Sequence, residues 1–546
     1  MGAPHLRYGP KENTVHATPR FQRAASFICC TLLLAACGGG DGPTGPPRNQ
    51  PGVRAVLGAG VVDTIDAQPL QALVVEVRGQ GGELASGTIV RFESQPPADT
   101  MRSYEAAVYV CALAAPTCGS FDGYYGGYYG GGGGSGDQFA TDTTDAQGRA
   151  KVTVRLGRVA GRAVVRLEVP EFGLADSATF TVTPGAGVRV LASPADTSLE
   201  IGAKATLRGK VVDRYNNARA EVPTITAGPG SAITLDATTG TVTARDMGTQ
   251  WLFARYTSFV DSMSVRVVPS GRLVVWAAYE QAVRLVNLSG SSERTIISNV
   301  ASDLGVFPRF DATRQHITLH AGSEFYGGAP NTIVVIDTTG SPRRDIGPAI
   351  GFSMVIATRQ LADGTVLVVG QSSTDTAHPD YSLWRVATDN TVTFLVALPD
   401  LQSTYGGADI SHNGARVAYV ATTPSYTVEL RVLDVSNGST TLLEANARSP
   451  RWSSQDDRVA YLIPGGGSSG YDGVLVVSNA DGGGRRGIGS ASFSPGIAWS
   501  PDGTYIIGRS TESGLRLVRV SDAANVLLRF SSATGCCHDY FQPDWR

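Results

Sequence analysis

Gln542-Pro543-Asp544-Trp545-Arg546 ends the chain, and its reading decides the fold. The run copies the opening of two upstream units, Ser449-Pro450-Arg451-Trp452-Ser453 and Gly496-Ile497-Ala498-Trp499-Ser500. There the tryptophan leads into a polar turn and then a β-run, Val459-Ala460-Tyr461-Leu462 or Tyr505-Ile506-Ile507-Gly508. After Trp545 neither follows, so the last unit holds a first strand alone. The missing remainder is found at Arg272-Leu273-Val274-Val275-Trp276-Ala277, where a unit enters at its second strand. Joining the two pieces closes a ring.

Working outward from those ends, Phe310, Gln360, Ile410, Trp452, Trp499 and Trp545 recur at intervals of 42 to 50 residues. A β-run follows each of the first five, and a third run lies farther on, such as Leu430-Arg431-Val432-Leu433-Asp434. A fixed period near 45 with four strands per unit predicts a β-propeller over 270–546. Six blades are expected, five continuous and one split between 272–305 and 541–546.

Trp499-Ser500-Pro501-Asp502-Gly503 resembles the repeat motif of the TolB-family propeller, a WD-type unit; Asp363-Gly364 and Asn413-Gly414 match its turn only, and 311–316 departs from it. Asp-Gly and Asn-Gly accept the left-handed backbone of a tight turn, and the aromatic residue packs between blades. Phe310, Trp452, Trp499, Asp502, Gly503 and Trp545 are therefore scaffold residues. The resemblance implies protein contacts in the cell envelope and names no ligand.

Two β-sandwiches are expected before the ring, over 53–185 and 186–269. In the first, alternation turns Val152, Val154 and Leu156 inward, and its stretch from Thr144 to Leu156 resembles group-1 bacterial Ig-like domains. In the second, Asp236-Ala237-Thr238-Thr239-Gly240-Thr241-Val242-Thr243-Ala244 resembles group-2 bacterial Ig-like domains. Both resemblances imply a structural or adhesive role without catalytic residues. An insertion is read over about 95–140. It holds Cys111 and Cys118, expected to form a local disulfide in an exported chain, and the run Gly123-Tyr124-Tyr125-Gly126-Gly127-Tyr128-Tyr129. That run is either a tyrosine-bearing contact loop or low-complexity filler.

At the start, Arg20 and Arg23 precede the 13-residue apolar run Ala24 to Ala36. The run is too short to span a bilayer and fits a signal-peptide core over 1–36. Leu34-Ala35-Ala36-Cys37 resembles a bacterial lipobox, which implies lipidation of Cys37 and a Gly/Pro tether over 37–52. A lipid-anchored position in the cell envelope, at the outer membrane, follows from that resemblance.

Composition agrees with an all-β chain: 546 residues, 66 glycines and 17% charged residues. The formal net charge of −3, with a basic leader included, gives no nucleic-acid footprint. No metal motif or cofactor fingerprint is present. Cys536-Cys537-His538-Asp539 is read as a vicinal disulfide or a pair of loop-pinning thiols, with a metal site as the alternative. Gly466-Gly467-Ser468-Ser469-Gly470 matches a nucleophile elbow in letters but lacks the helix such an elbow requires. The expected function is a non-catalytic lipoprotein whose stalk presents the propeller to a protein or glycan partner. The competing readings are a hydrolase or lyase in the propeller channel and a purely structural envelope protein.

Overall fold

The computed structural model describes residues 50–96, 107–113, 118, 139–277, 281–298, 306–311, 313–321, 332–341, 343–346, 351–401, 407–465, 472–510, 514–528 and 540–546. Cys37, the Tyr/Gly run, the Gly466–Gly470 match and Cys536-Cys537-His538-Asp539 lie outside them. The described chain is all-β apart from a single 3-10 turn at Pro170–Phe172.

Alternating Val, Leu and Phe residues build the first sandwich. One sheet orders Gly52–Leu57, Leu73–Arg78, Arg149–Leu156 and Val108–Cys111. The other orders Val62–Thr64, Leu174–Thr183, Gly161–Val169, Ile89–Ser94 and Phe139–Thr143. Leu73, Val75, Val152, Val154 and Leu156 from one face meet Val90, Phe92, Leu167 and Phe180 from the other. Period-two alternation sends these side chains inward and their neighbours to water. The insertion read over 95–140 is therefore not all external. Val108–Cys111 pairs antiparallel with Thr153–Leu156 and is wholly buried, so the core uses it as an edge strand. Cys111 is disulfide-bonded to Cys118, with Cα atoms 5.5 Å apart.

The second sandwich packs the sheet Asp196–Glu200, Phe259–Val268, Gly248–Tyr256 and Thr224–Ala227 on Lys204–Thr206, Thr241–Ala244 and Ile233–Asp236. Val242, Leu252, Met263 and Val265 fill the space between. The two sandwiches meet through side chains that satisfy one another. Tyr215 Oη donates to Asp66 at 2.8 Å, Asn217 Nδ2 donates to the Arg158 carbonyl at 2.8 Å, and the Gly185 N–H donates to Asp213 at 2.9 Å.

Beyond Gly271 the described residues form six four-stranded antiparallel units, a β-propeller. Blade one is Tyr540–Trp545, Arg272–Ala277, Ala282–Asn287 and Glu293–Ile297. Blades two, three and four open on Val306–Phe310, Phe352–Gln360 and Ala408–Ile410. Blade five opens on Arg448–Trp452 and shares one long strand, Arg486–Trp499, with blade six. That strand's first part is the outer edge of blade five, and its end is the inner edge of blade six. The six first strands touch one another in a closed cycle and so line the axis.

Every inner strand ends on one of the six recurring residues: Phe310, Gln360, Ile410, Trp452, Trp499 and Trp545. The aromatic members pack between blades. Trp452 sits with Ala418 and Val432 of blade four and Val459 of blade five, and Trp545 joins Leu273 of blade one to Ile507 of blade six. After Phe310, Ile410, Trp452 and Trp499 the turn is held by the residue that follows. Ser500 Oγ donates to Asp502 at 2.6 Å and accepts the Tyr505 N–H at 2.8 Å, while Gly503 takes φ +68°. In 311–316, where the motif is absent, the Asp311 carboxylate does this work, accepting the Gln315 and His316 N–H groups at 2.8 and 3.1 Å.

Candidate functional site

A strand's side chains alternate sides, so the residue just before each blade-packing residue faces the axis. Those six positions are Arg309, Arg359, Asp409, Arg451, Ala498 and Asp544. They gather around a cavity at the end of the channel where the inner strands finish. The turns beyond add Asp311, Arg314, His412 and Ser454 to its mouth. The cavity has a volume of about 20 Å³, room for roughly one or two water molecules.

The carboxylates there are committed to the scaffold. Asp409 Oδ2 accepts the Trp452 N–H at 2.8 Å, and Asp544 Oδ2 accepts the Phe310 N–H at 2.7 Å. Each therefore ties its own blade to the next. Asp409 also pairs with Arg359 at 3.2 Å, both side chains being almost fully buried. Burial by itself would raise the Asp409 carboxyl, but Arg359, Arg451 and Arg309 outweigh it and hold the group below its ordinary value.

The arginines bridge blades as well. Arg359 Nε donates to the Ile410 carbonyl at 3.3 Å and Arg451 Nε to the Ile497 carbonyl at 3.0 Å. Arg309 differs. It is 5% exposed, and its Nη1 donates to the carbonyls of Pro308 and Pro543 at 3.0 and 3.4 Å. Among the described residues no carboxylate lies within ion-pair distance of it. Burial, followed by the nearby Arg451 charge, lowers its guanidinium to about 9, with Asp544 and Asp409 opposing the shift. At the mouth, Arg314 reaches past the split blade to the Pro501 carbonyl of blade six at 3.4 Å.

Three histidine–aspartate contacts invite a catalytic reading: His316–Asp311, His378–Asp375 and His412–Asp456, at 3.1, 3.0 and 3.1 Å. In each, the carboxylate also accepts backbone N–H groups of a turn, at Gln315 and His316, at Ala377, and at His412 and Asn413. These pairs hold turns. His320 lies deeper, stacked on Phe307 with ring centroids 4.8 Å apart and Nδ1 3.3 Å from Thr358 Oγ1. Burial first, then Arg309 and Arg451, lower it to about 3, so it is neutral. Among the described residues no group of three His, Cys, Asp or Glu side chains is arranged to hold a metal ion. Asp337 and Asp434, carboxylates at third-strand ends, cap turns through Thr339 and Ser436.

The arm of sandwiches attaches on the face where this cavity opens. In an antiparallel blade the third-to-fourth strand turns share a face with the first-to-second turns. Two such outer turns touch the second sandwich: Arg519 and Asp522 in blade six, and Ser289 in blade one. Arg519 Nη1 bonds Asp246 at 2.6 Å, and Ser289 Oγ donates to Glu200 at 3.3 Å. The contact is at the rim, whereas the cavity is at the axis.

Sequence reasoning placed the blade-packing residues at the strand ends and missed the axis-facing set. The signal was available one position earlier, where a charged residue precedes the blade-packing residue in five of the six inner strands.

No family model and no curated protein sequence matches the chain. Among solved structures it is similar to TolB from Acinetobacter baumannii, at 13% identity and a TM-score of 0.38, over 59% of this chain and 83% of that one. It is similar to a TolB-like protein of Agrobacterium tumefaciens at 10% identity and a TM-score of 0.35, over 50% of this chain and 99% of that one. It is also similar to an oligogalacturonate lyase from Vibrio parahaemolyticus at 10% identity and a TM-score of 0.29, over 47% of this chain and 84% of that one. None of these likenesses lends a residue role.

Proposed function

We propose that the chain is a lipid-anchored envelope protein, held through Cys37, in which two Ig-like sandwiches carry a propeller that binds a protein or glycan partner at its axis. The observation that carries this reading is the channel end itself. Its charged residues form a built concave site, whereas the histidine–aspartate pairs nearby serve as turn braces. The lipobox-like leader and the tether supply the anchoring half of the proposal, and the outer membrane is its expected address.

The test is site-directed photo-crosslinking in the full chain, expressed in cells that lipidate it. A photoreactive residue at His412, on the cavity mouth, should give a discrete adduct. The same residue at Leu442, exposed on the outer strand of blade four, should not. Equal labelling at both places, or none at the mouth, would count against a binding propeller. A hydrolase or lyase in the same channel is the competing reading; turnover of a candidate polymer by the purified chain, lost on substituting channel residues, would favour it.

A further inference from the structure

We infer that the channel end is a recognition site for a single carboxylate group, with Arg309 as its principal contact. The inference deepens the binding reading above and rests on it for its biological setting. At the axis three guanidiniums, Arg309, Arg359 and Arg451, face two carboxylates, Asp409 and Asp544. Asp409 is taken by Arg359 and by the Trp452 N–H, and Asp544 by the Phe310 N–H. Arg309 is left as a buried cation on the cavity wall with no ion pair among the described residues.

A buried charge without a direct ion pair is costly even with Asp544 and Asp409 nearby, and a protein that keeps one commonly does so for a ligand. A guanidinium offers a planar fork of N–H donors that matches the two oxygens of a carboxylate. The cavity is small, with room for roughly one or two water-sized atoms, which fits the head of a single carboxylate. Its mouth, with Arg314, His412 and Ser454, is polar, so the rest of the ligand leaves the channel through hydrogen-bonding groups on the arm side of the ring.

The experiment is a titration of 13C-formate into the full chain in chloride-free buffer, followed by NMR. Saturable binding at one site is expected, displaced by acetate and not by neutral acetamide. Arg309→Met should weaken it by about tenfold or more, since it removes a charge-assisted pair. Arg485→Met, which removes a surface partner of Glu444, should leave it unchanged. Arg309→Lys keeps the charge without the fork and should also weaken binding. Formate that fails to saturate, or that binds Arg309→Met as well as wild type, overturns the site. Phosphate displacing formate more tightly than acetate does overturns the assignment to a carboxylate. The acetamide comparison uses wild-type protein alone and so does not depend on any variant folding. Formate binding without a crosslinked partner would sink the macromolecular reading and keep the anion site; the reverse result would do the opposite.

Discussion

Leu273 is paired with Trp545 across the full length of the propeller sequence, and this ladder fastens the ring. Beside it, the Arg546 N–H donates to the Arg272 carbonyl at 2.8 Å, and the Arg272 N–H returns a bond at 3.1 Å. The Trp545 ring fills the gap between blades one and six, stacked on Tyr505 with centroids 6.2 Å apart. Trp545→Ala is expected to cost about 3–5 kcal/mol, the range for emptying a buried aromatic site. Gly271→Ala should also destabilise, because a Cβ there would fall 2.1 Å from Trp545 Nε1 and Gly271 takes φ +156°. Urea unfolding of both variants, set against wild type, measures the two effects.

Asp409 supports the second prediction. Its folded value lies below the ordinary 3.8, so the stability it contributes is complete above that value and is lost as pH falls below it. Asp409→Ala would strand the Arg359 guanidinium and is expected to cost about 3–5 kcal/mol at neutral pH. The Asp409→Ala, Arg359→Met double variant should recover part of that loss, because the Arg359 charge is no longer stranded without its partner. Denaturant midpoints for the two single variants and the double close the cycle.

His320 sets a different pH window. It is neutral when folded down to about pH 3, whereas an exposed histidine takes a proton below about 6.5. The unfolded chain therefore holds the extra proton between those values, and stability falls with pH by about 1.4 kcal/mol per unit from this group. His320→Gln, which keeps a hydrogen-bonding partner for Thr358, should flatten that slope between pH 6 and pH 4. Unfolding free energies measured at several pH values give the slope directly; an unchanged slope would refute the assignment.

The joint between arm and ring gives a fourth prediction. Arg519 bonds both Asp246 of the sandwich and Asp522 of its own turn, and these carboxylates, Asp522 first, raise it above its ordinary value. Because the carboxylate side chains are about half exposed, Asp246→Ala should change overall stability by less than about 1 kcal/mol. It should instead widen the range of arm positions, seen as a larger radius of gyration in small-angle scattering.

The sequence made the ring legible because tryptophan and turn glycine each have few physical roles, and both recur with the blade. The departing unit at 311–316 was harder to read, since Asp311 braces the turn where Ser500 does so in the best-matched repeat. Val108–Cys111 was hidden inside a stretch dominated by glycine and tyrosine, although its own four residues are wholly buried. The axis set escaped for another reason. Arg309, Arg451 and Asp544 share only their place between a proline and an aromatic residue, which drew notice to the aromatic, and only the closed ring brings them together across gaps of more than ninety residues. A charged side chain one place before the blade-packing residue in five inner strands was the clue, and strand alternation alone would have aimed them at one point.

The arm enters the ring at Arg272, on a strand clamped on one side by the chain's last residues and on the other by Ala282–Asn287. A tug on the arm along that strand would have to slide both ladders at once instead of unzipping either. The place where the circle is sewn shut is thus also the place where it takes the load, and the bonds there resist mechanical strain in their strongest direction.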